Sequence, residues 1–141
     1  MRIKYGEIAF YSKWLMNHLS LAGKQSRMRM KFIELLVVKS EELGKYHVQL
    51  LKEHCHLDEE GNPRIVEVEG EQARYDVVDS VVFERDFKEL LEEEFHIEEN
   101  EENLEMLLSV RQSIENCPTA WSGDQALEYE MVAKLFDQIR N

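Results

Sequence analysis

The chain is poor in the residues that interrupt regular structure. Its 141 residues include only two prolines, Pro63 and Pro118, and six scattered glycines. The glycines form no phosphate-cradling loop, and there is no low-complexity tract, internal repeat or long linker. Two cysteines, Cys55 and Cys117, lie far apart without CxxC spacing, which excludes a disulfide framework and favours reduced thiols. No apolar run approaches the about 20 residues a spanning helix requires, and Lys4 and Glu7 interrupt any leader-like core at the start, so the chain is expected to stay inside the cell that makes it. GxSxG is missing, as is a recognisable base beside either cysteine. Positive charge is also scarce, with 17 Lys and Arg against 29 Asp and Glu.

What is present suits one folded domain. Apolar residues make up 43% and charged residues 33%, enough for a real core, and about 150 residues can bury roughly 68–70% of the unfolded surface. The net charge of -12 is divided unevenly: residues 1–56 sum to +5 and residues 57–141 to -17. Such polarity suits attraction between the halves, repels nucleic acid and membranes, and favours a basic partner, although acidic surface also simply promotes solubility.

Periodicity predicts a mostly α fold with a minor β component: a long amphipathic helix packed with three to four further helices in a bundle-like domain, plus a small hairpin. Met1 to Tyr5 alternates like a short strand. Ile8, Tyr11, Trp14, Leu15 and Leu19 recur at helical spacing, with Gly23 as a stop. From about 24 to 56, Ile33, Leu36, Leu43 and Leu50 form a stripe widened by Phe32, Leu35, Tyr46 and Leu51. Gly44 stands mid-helix as a bend or close contact, and a helix of this length needs partners, including a second copy. DEEGNP ends it, and a hairpin is expected over about 64–78. Asp79 or Ser80 caps a helix over 80–95, FHIE forms a short strand, and Asn100 caps a helix over 101–116. Ser122 and Gln125 suggest a capping box opening a last helix over 123–139, with Leu127, Met131, Leu135 and Ile139 inward.

Chemistry-bearing residues are few. LLKEHCHLDEEGNP groups His54, Cys55 and His56 near His47, Asp58 and Glu59, and a metal there would need His96 or Cys117 from elsewhere. His47 and His54, seven apart, are separated by about 10 Å along a helix, too far for one ion whose ligands sit about 2 Å away. The simpler reading is a helix C-terminus with histidines beside the negative end of its dipole, so no metal or other cofactor is expected. The acidic run supplies Glu92, Glu93, Glu94, Glu98, Glu99, Glu101 and Glu102. A solvated run does not create the unequal environments that acid–base catalysis requires, but it suits a partner-binding patch or a mimic of nucleic acid. Lys24, Arg27, Arg29 and Lys31 concentrate positive charge at a helix start, where the dipole disfavours it unless an anion lies near. The chain's own acidic segment is the expected partner, and direct nucleic-acid binding is not expected.

The order of segments, a long helix ending in LLKEHCHLDEEGNP, a hairpin containing ARYDV, then FERDFKELLEEEFHIE and SGDQALEYEMVAKLF, resembles an uncharacterised family of small proteins encoded by tailed phages and prophages of Gram-positive bacteria. The resemblance implies a viral accessory role in the bacterial cytoplasm or virion, without enzymatic activity. It implies two kinds of protein–protein work: inhibition of a host or defence protein, or virion assembly as a homo-oligomer, with the long helix as a possible dimer interface. No functional residue is carried over by it.

Overall fold

A computed structural model describes residues 1–140. The fold is mostly α with minor β, as the periodicity requires. The order is β1 (Arg2–Lys4), a 3-10 turn (Tyr5–Glu7), α1 (Ile8–His18), α2 (Gly23–His54), β2 (Ile65–Val66), β3 (Arg74–Tyr75), α3 (Ser80–Glu92), β4 (Glu94–His96), α4 (Glu101–Glu115) and α5 (Gly123–Asp137). The chain divides into two compact units, one formed by Met1–Ser40 with Glu94–Asn141, the other by Glu41–Glu93.

In the first unit, fully buried Leu15, Phe32, Leu36, Leu107, Val132 and Phe136 make the core, and the rings of Phe32 and Phe136 lie 5.2 Å apart. The two short strands read at residues 1–5 and 95–98 pair with each other: β1 and β4 run antiparallel, with Ile3 opposite Phe95. Both of these side chains are buried. The Gln138 side chain accepts from the Arg2 N–H at 2.8 Å and donates to the Arg2 carbonyl at 3.1 Å, completing hydrogen bonds that β1 would otherwise leave open. An aromatic cluster joins Trp14, His18, Trp121 and Tyr129, with ring centroids 5.2–6.2 Å apart.

Three expectations change here. Gly23 does not stop α1, which ends five residues earlier at His18 with Leu19 extended. Gly23 instead opens α2 at φ +58, and Gly123 opens α5 in the same left-handed way at φ +59, a conformation cheap for glycine. Ser122 stands at the N-cap of α5, but its side chain makes no capping hydrogen bond. Finally, Leu127 and Met131 are exposed, while Val132, Leu135, Phe136 and Ile139 are buried. The larger apolar area of Phe136, with Val132 one turn before it, sets the inward face of α5.

The second unit joins the C-terminal half of α2, the β2–β3 hairpin and α3. The hairpin is shorter than read, with Ile65 opposite Tyr75 and Val66 opposite Arg74. His56, Arg64 and Asp76 then link three backbone segments in a ring: His56 donates to Asp76, Arg64 to His56, and Asp76 to Arg64, at 2.8–3.0 Å. Asp58 orders the turn after the helix by accepting from the N–H groups of Glu60 and Asn62. Asp79, the cap of α3, accepts from Val81 and Val82. Burial is thinner than in the first unit: Leu51, Cys55 and Leu90 are buried, whereas Tyr46, Val48, Ile65, Tyr75, Val78 and Val81 are exposed.

Gly44 is not a close contact, because α2 continues through it and a Cβ added there would meet no atom within 4 Å. Gly44→Ala is therefore expected to raise stability by about 0.5–1 kcal/mol through helix propensity and a less flexible unfolded chain. Chemical denaturation checks this, and a destabilised variant would show that the glycine is required.

Candidate interaction surface

The histidines of the stretch at the end of α2 serve packing. His54 Nε2 lies 2.9 Å from Asp86 Oδ2, and its ring stands edge-on to Phe83 with centroids 5.8 Å apart. His47 packs on Phe87 with centroids 4.7 Å apart. Cys55 is buried and its backbone bridges Val77. Burial, reinforced by Asp76, pushes its thiol above the ordinary value, so thiolate is disfavoured. Cys117 is also free. Among the described residues no three His, Cys, Asp or Glu side chains gather as a metal-binding set.

The same two helices, α2 and α3, form a groove of about 540 Å³. One wall is Tyr46, Gln49, Leu50 and Glu53, the other Asp86, Glu89, Leu90 and Glu93. Each wall repeats at i, i+3, i+4 and i+7, the spacing that brings side chains to one helix face. Leu50 is half-buried and Leu90 buried, Tyr46 adds an exposed aromatic, and four carboxylates line the groove without any lysine or arginine. Asp86 is shared with His54 and with Arg85, whose Nε is 3.3 Å away. A groove with this pattern suits the apolar face of a helix whose flanks are basic.

The acidic residues read from the sequence do not form one surface. Glu92 and Glu93 end α3, and Glu93 reaches the groove. Glu94 is exposed on β4 opposite Lys4. Buried Phe95 and Ile97 interrupt the run. Glu98 is exposed, and the Glu99 carboxylate accepts from the Arg140 N–H at 2.6 Å. Glu101 and Glu102 lie exposed in the first turn of α4, where acids complement the helix dipole.

The basic group separates too. Lys24 pairs with Glu105. That hydrogen bond and the lysine charge, aided by Lys31, hold the Glu105 carboxyl below its usual range. The attraction expected between basic helix start and acidic segment is present in this pair. Lys31 lines a second groove of about 420 Å³, with Met28, Leu35, Glu102, Glu105 and Met106 among its walls. Arg27 is exposed. Arg29, expected in an exposed basic patch, is instead buried at 9% exposure and donates to the carbonyls of Leu15 and Leu19. The end of α1 presents unpaired carbonyls and the negative end of its dipole, and these draw the guanidinium inward.

Sequence reasoning missed Tyr46, Gln49, Glu53 and Asp86 as groove residues. Their signal was the matching seven-residue spacing of two separate helices rather than the local density of glutamate. No protein family, curated protein or solved structure matches the chain, and no helix among the described residues is long and apolar enough to cross a membrane.

Proposed function

We propose that this protein is a non-enzymatic interaction module whose acidic α2–α3 groove receives a basic amphipathic helix of a partner protein. The observation that carries this reading is the pair of i, i+3, i+4, i+7 walls, which together hold two leucines and four carboxylates, Glu53 on α2 and Asp86, Glu89 and Glu93 on the α3 side, and no cation. Tyr46 and Leu50 provide affinity by leaving water, while the carboxylates select a basic partner and speed encounter. In the phage or prophage setting implied by the segment pattern, the partner is a host or defence protein in the bacterial cytoplasm, and occupation of its basic helix inhibits it.

The test uses a helical peptide with leucines at i, i+3, i+4 and i+7 flanked by lysines, and a second with the same leucines flanked by glutamates. The basic peptide is expected to bind more tightly, and Glu53→Lys/Glu89→Lys is expected to weaken it by about tenfold or more, with a strong salt dependence. Equal binding of both peptides, or binding unaffected by the double reversal, would remove the assignment. Affinity purification from a bacterial host, with and without phage infection, then compares proteins retained by the wild type and lost by the double variant.

A second reading, a homo-oligomer in virion assembly, draws on Met30, Val37 and Val48 of α2, all exposed. Sedimentation separates the two: a closed symmetric oligomer supports assembly, and a concentration-independent monomer supports the adaptor or inhibitor.

A further inference from the structure

An open pocket of about 720 Å³ lies in the first unit, lined by Met1, Arg2, His96, Glu99, Gln138 and Arg140. Three separate chain segments build it, and hydrogen bonds tie them together. The β1–β4 register sets Arg2 opposite His96. Ile3 and Phe95 beside them are buried, so alternation along both strands turns Arg2 and His96 to the exposed face. The Gln138 side chain holds the third segment against the Arg2 backbone, and the Glu99 carboxylate accepts from the Arg140 N–H at 2.6 Å. Buried Ile97 and Ile139 anchor the segments that carry these residues.

The charge of this pocket runs against that of the chain. In a protein with 29 acidic residues, two arginines and a histidine meet here around a single carboxylate, Glu99. Among the described residues no carboxylate is ion-paired with the side chain of Arg2, His96 or Arg140. The Met1 amine, which donates to the Ile97 carbonyl at 2.9 Å, feels this field. Burial pushes it below its ordinary value, Glu99 opposes that shift, and Arg2 and Arg140 add to it. Like charges held together in this way are relieved by an anion. Each guanidinium presents a planar fork that matches phosphate oxygens. Two forks and an imidazole supply about five donors, more than the about four that one carboxylate accepts, which favours a tetrahedral dianion. We infer that Arg2, His96 and Arg140 bind a phosphate group here, as inorganic phosphate or the phosphate of a small phosphomonoester, with residues that take no part in the α2–α3 groove.

The experiment titrates inorganic phosphate into the full chain at neutral pH and constant ionic strength, with chloride as the control, and follows amide and arginine Nε resonances by NMR. Saturable shifts at Arg2, His96 and Arg140 are expected with phosphate alone. Arg2→Gln and Arg140→Gln are each expected to weaken binding about tenfold, the loss of one charge-assisted contact. Both side chains are exposed, so these variants should keep the melting temperature of the wild type, which separates loss of binding from loss of fold. Lys52→Gln removes the same charge from an exposed position in the second unit and should leave the affinity unchanged. Glu99→Gln keeps an acceptor for the Arg140 N–H but removes the one opposing charge, so binding should tighten several-fold, a gain that misfolding cannot produce. A glycerol phosphate arm distinguishes the sources: tighter binding than phosphate identifies the monoester, and equal or weaker binding identifies the free ion. Absence of saturable phosphate shifts, or affinities in Arg2→Gln and Arg140→Gln no weaker than in Lys52→Gln, would overturn the inference.

Discussion

Phe32→Ala is expected to destabilise the first unit by about 3–5 kcal/mol, the range for deleting a buried phenylalanine side chain. Phe32 has no exposed surface, and its ring packs against that of Phe136, itself almost fully buried. The loss combines the apolar area of the ring with the void left where neighbouring Leu36 and Phe136 cannot collapse fully. Against a typical domain stability of about 5–15 kcal/mol the change is large. Phe32→Leu, which keeps much of the volume, should lose less. Urea unfolding followed by circular dichroism measures both, and a loss below about 1 kcal/mol for Phe32→Ala would contradict the burial of this ring. Two transitions are informative as well: the deficit belongs in the one that reports Trp14 and Trp121, because both tryptophans lie in the same unit as Phe32.

Arg29→Met is expected to cost about 2–3 kcal/mol, comparable to leaving buried acceptors without their charged donor. Methionine restores most of the buried length of the side chain but none of its hydrogen bonds. The carbonyls of Leu15 and Leu19 would then lose the guanidinium that closes the end of α1. If Arg29 acts only by packing, Arg29→Met should be nearly neutral while Arg29→Ala is harmful. If it acts as the cap, the two variants should be similarly destabilised. Guanidinium chloride would screen the charge term, so urea is the denaturant of choice. A neutral Arg29→Met would overturn the capping role.

These residues also mark where the sequence was readable. Asp79 and Asn100 were legible as caps because their oxygens bond N–H groups two or three residues ahead. The end of α1 was not, because its cap is Arg29 on the following helix, 10 residues beyond Leu19. Strand-like alternation was legible at Ile3 and Phe95, but their pairing joins segments more than 90 residues apart. On α5 and just beyond it, Leu135 and Ile139 are buried as read, but Leu127 and Met131, which fit the same period, are exposed, and Val132 and Phe136 take their place in the core. For the candidate site, glutamate density directed attention to residues 92–102, whereas the groove depends on the register of Glu53 and Leu50 with Glu89 and Leu90 on another helix.

Local residue chemistry was therefore enough to establish the helices, most of their ends, the strand segments and the acidic balance, since helical period, capping and charge act over a few neighbouring residues. Tertiary structure decided which face of α5 is covered, why Arg29 turns inward, how β1 finds β4, and which carboxylates share a groove. Each of those outcomes depends on area removed from water or on charge meeting a partner across a large sequence separation, and neither quantity exists until the elements pack.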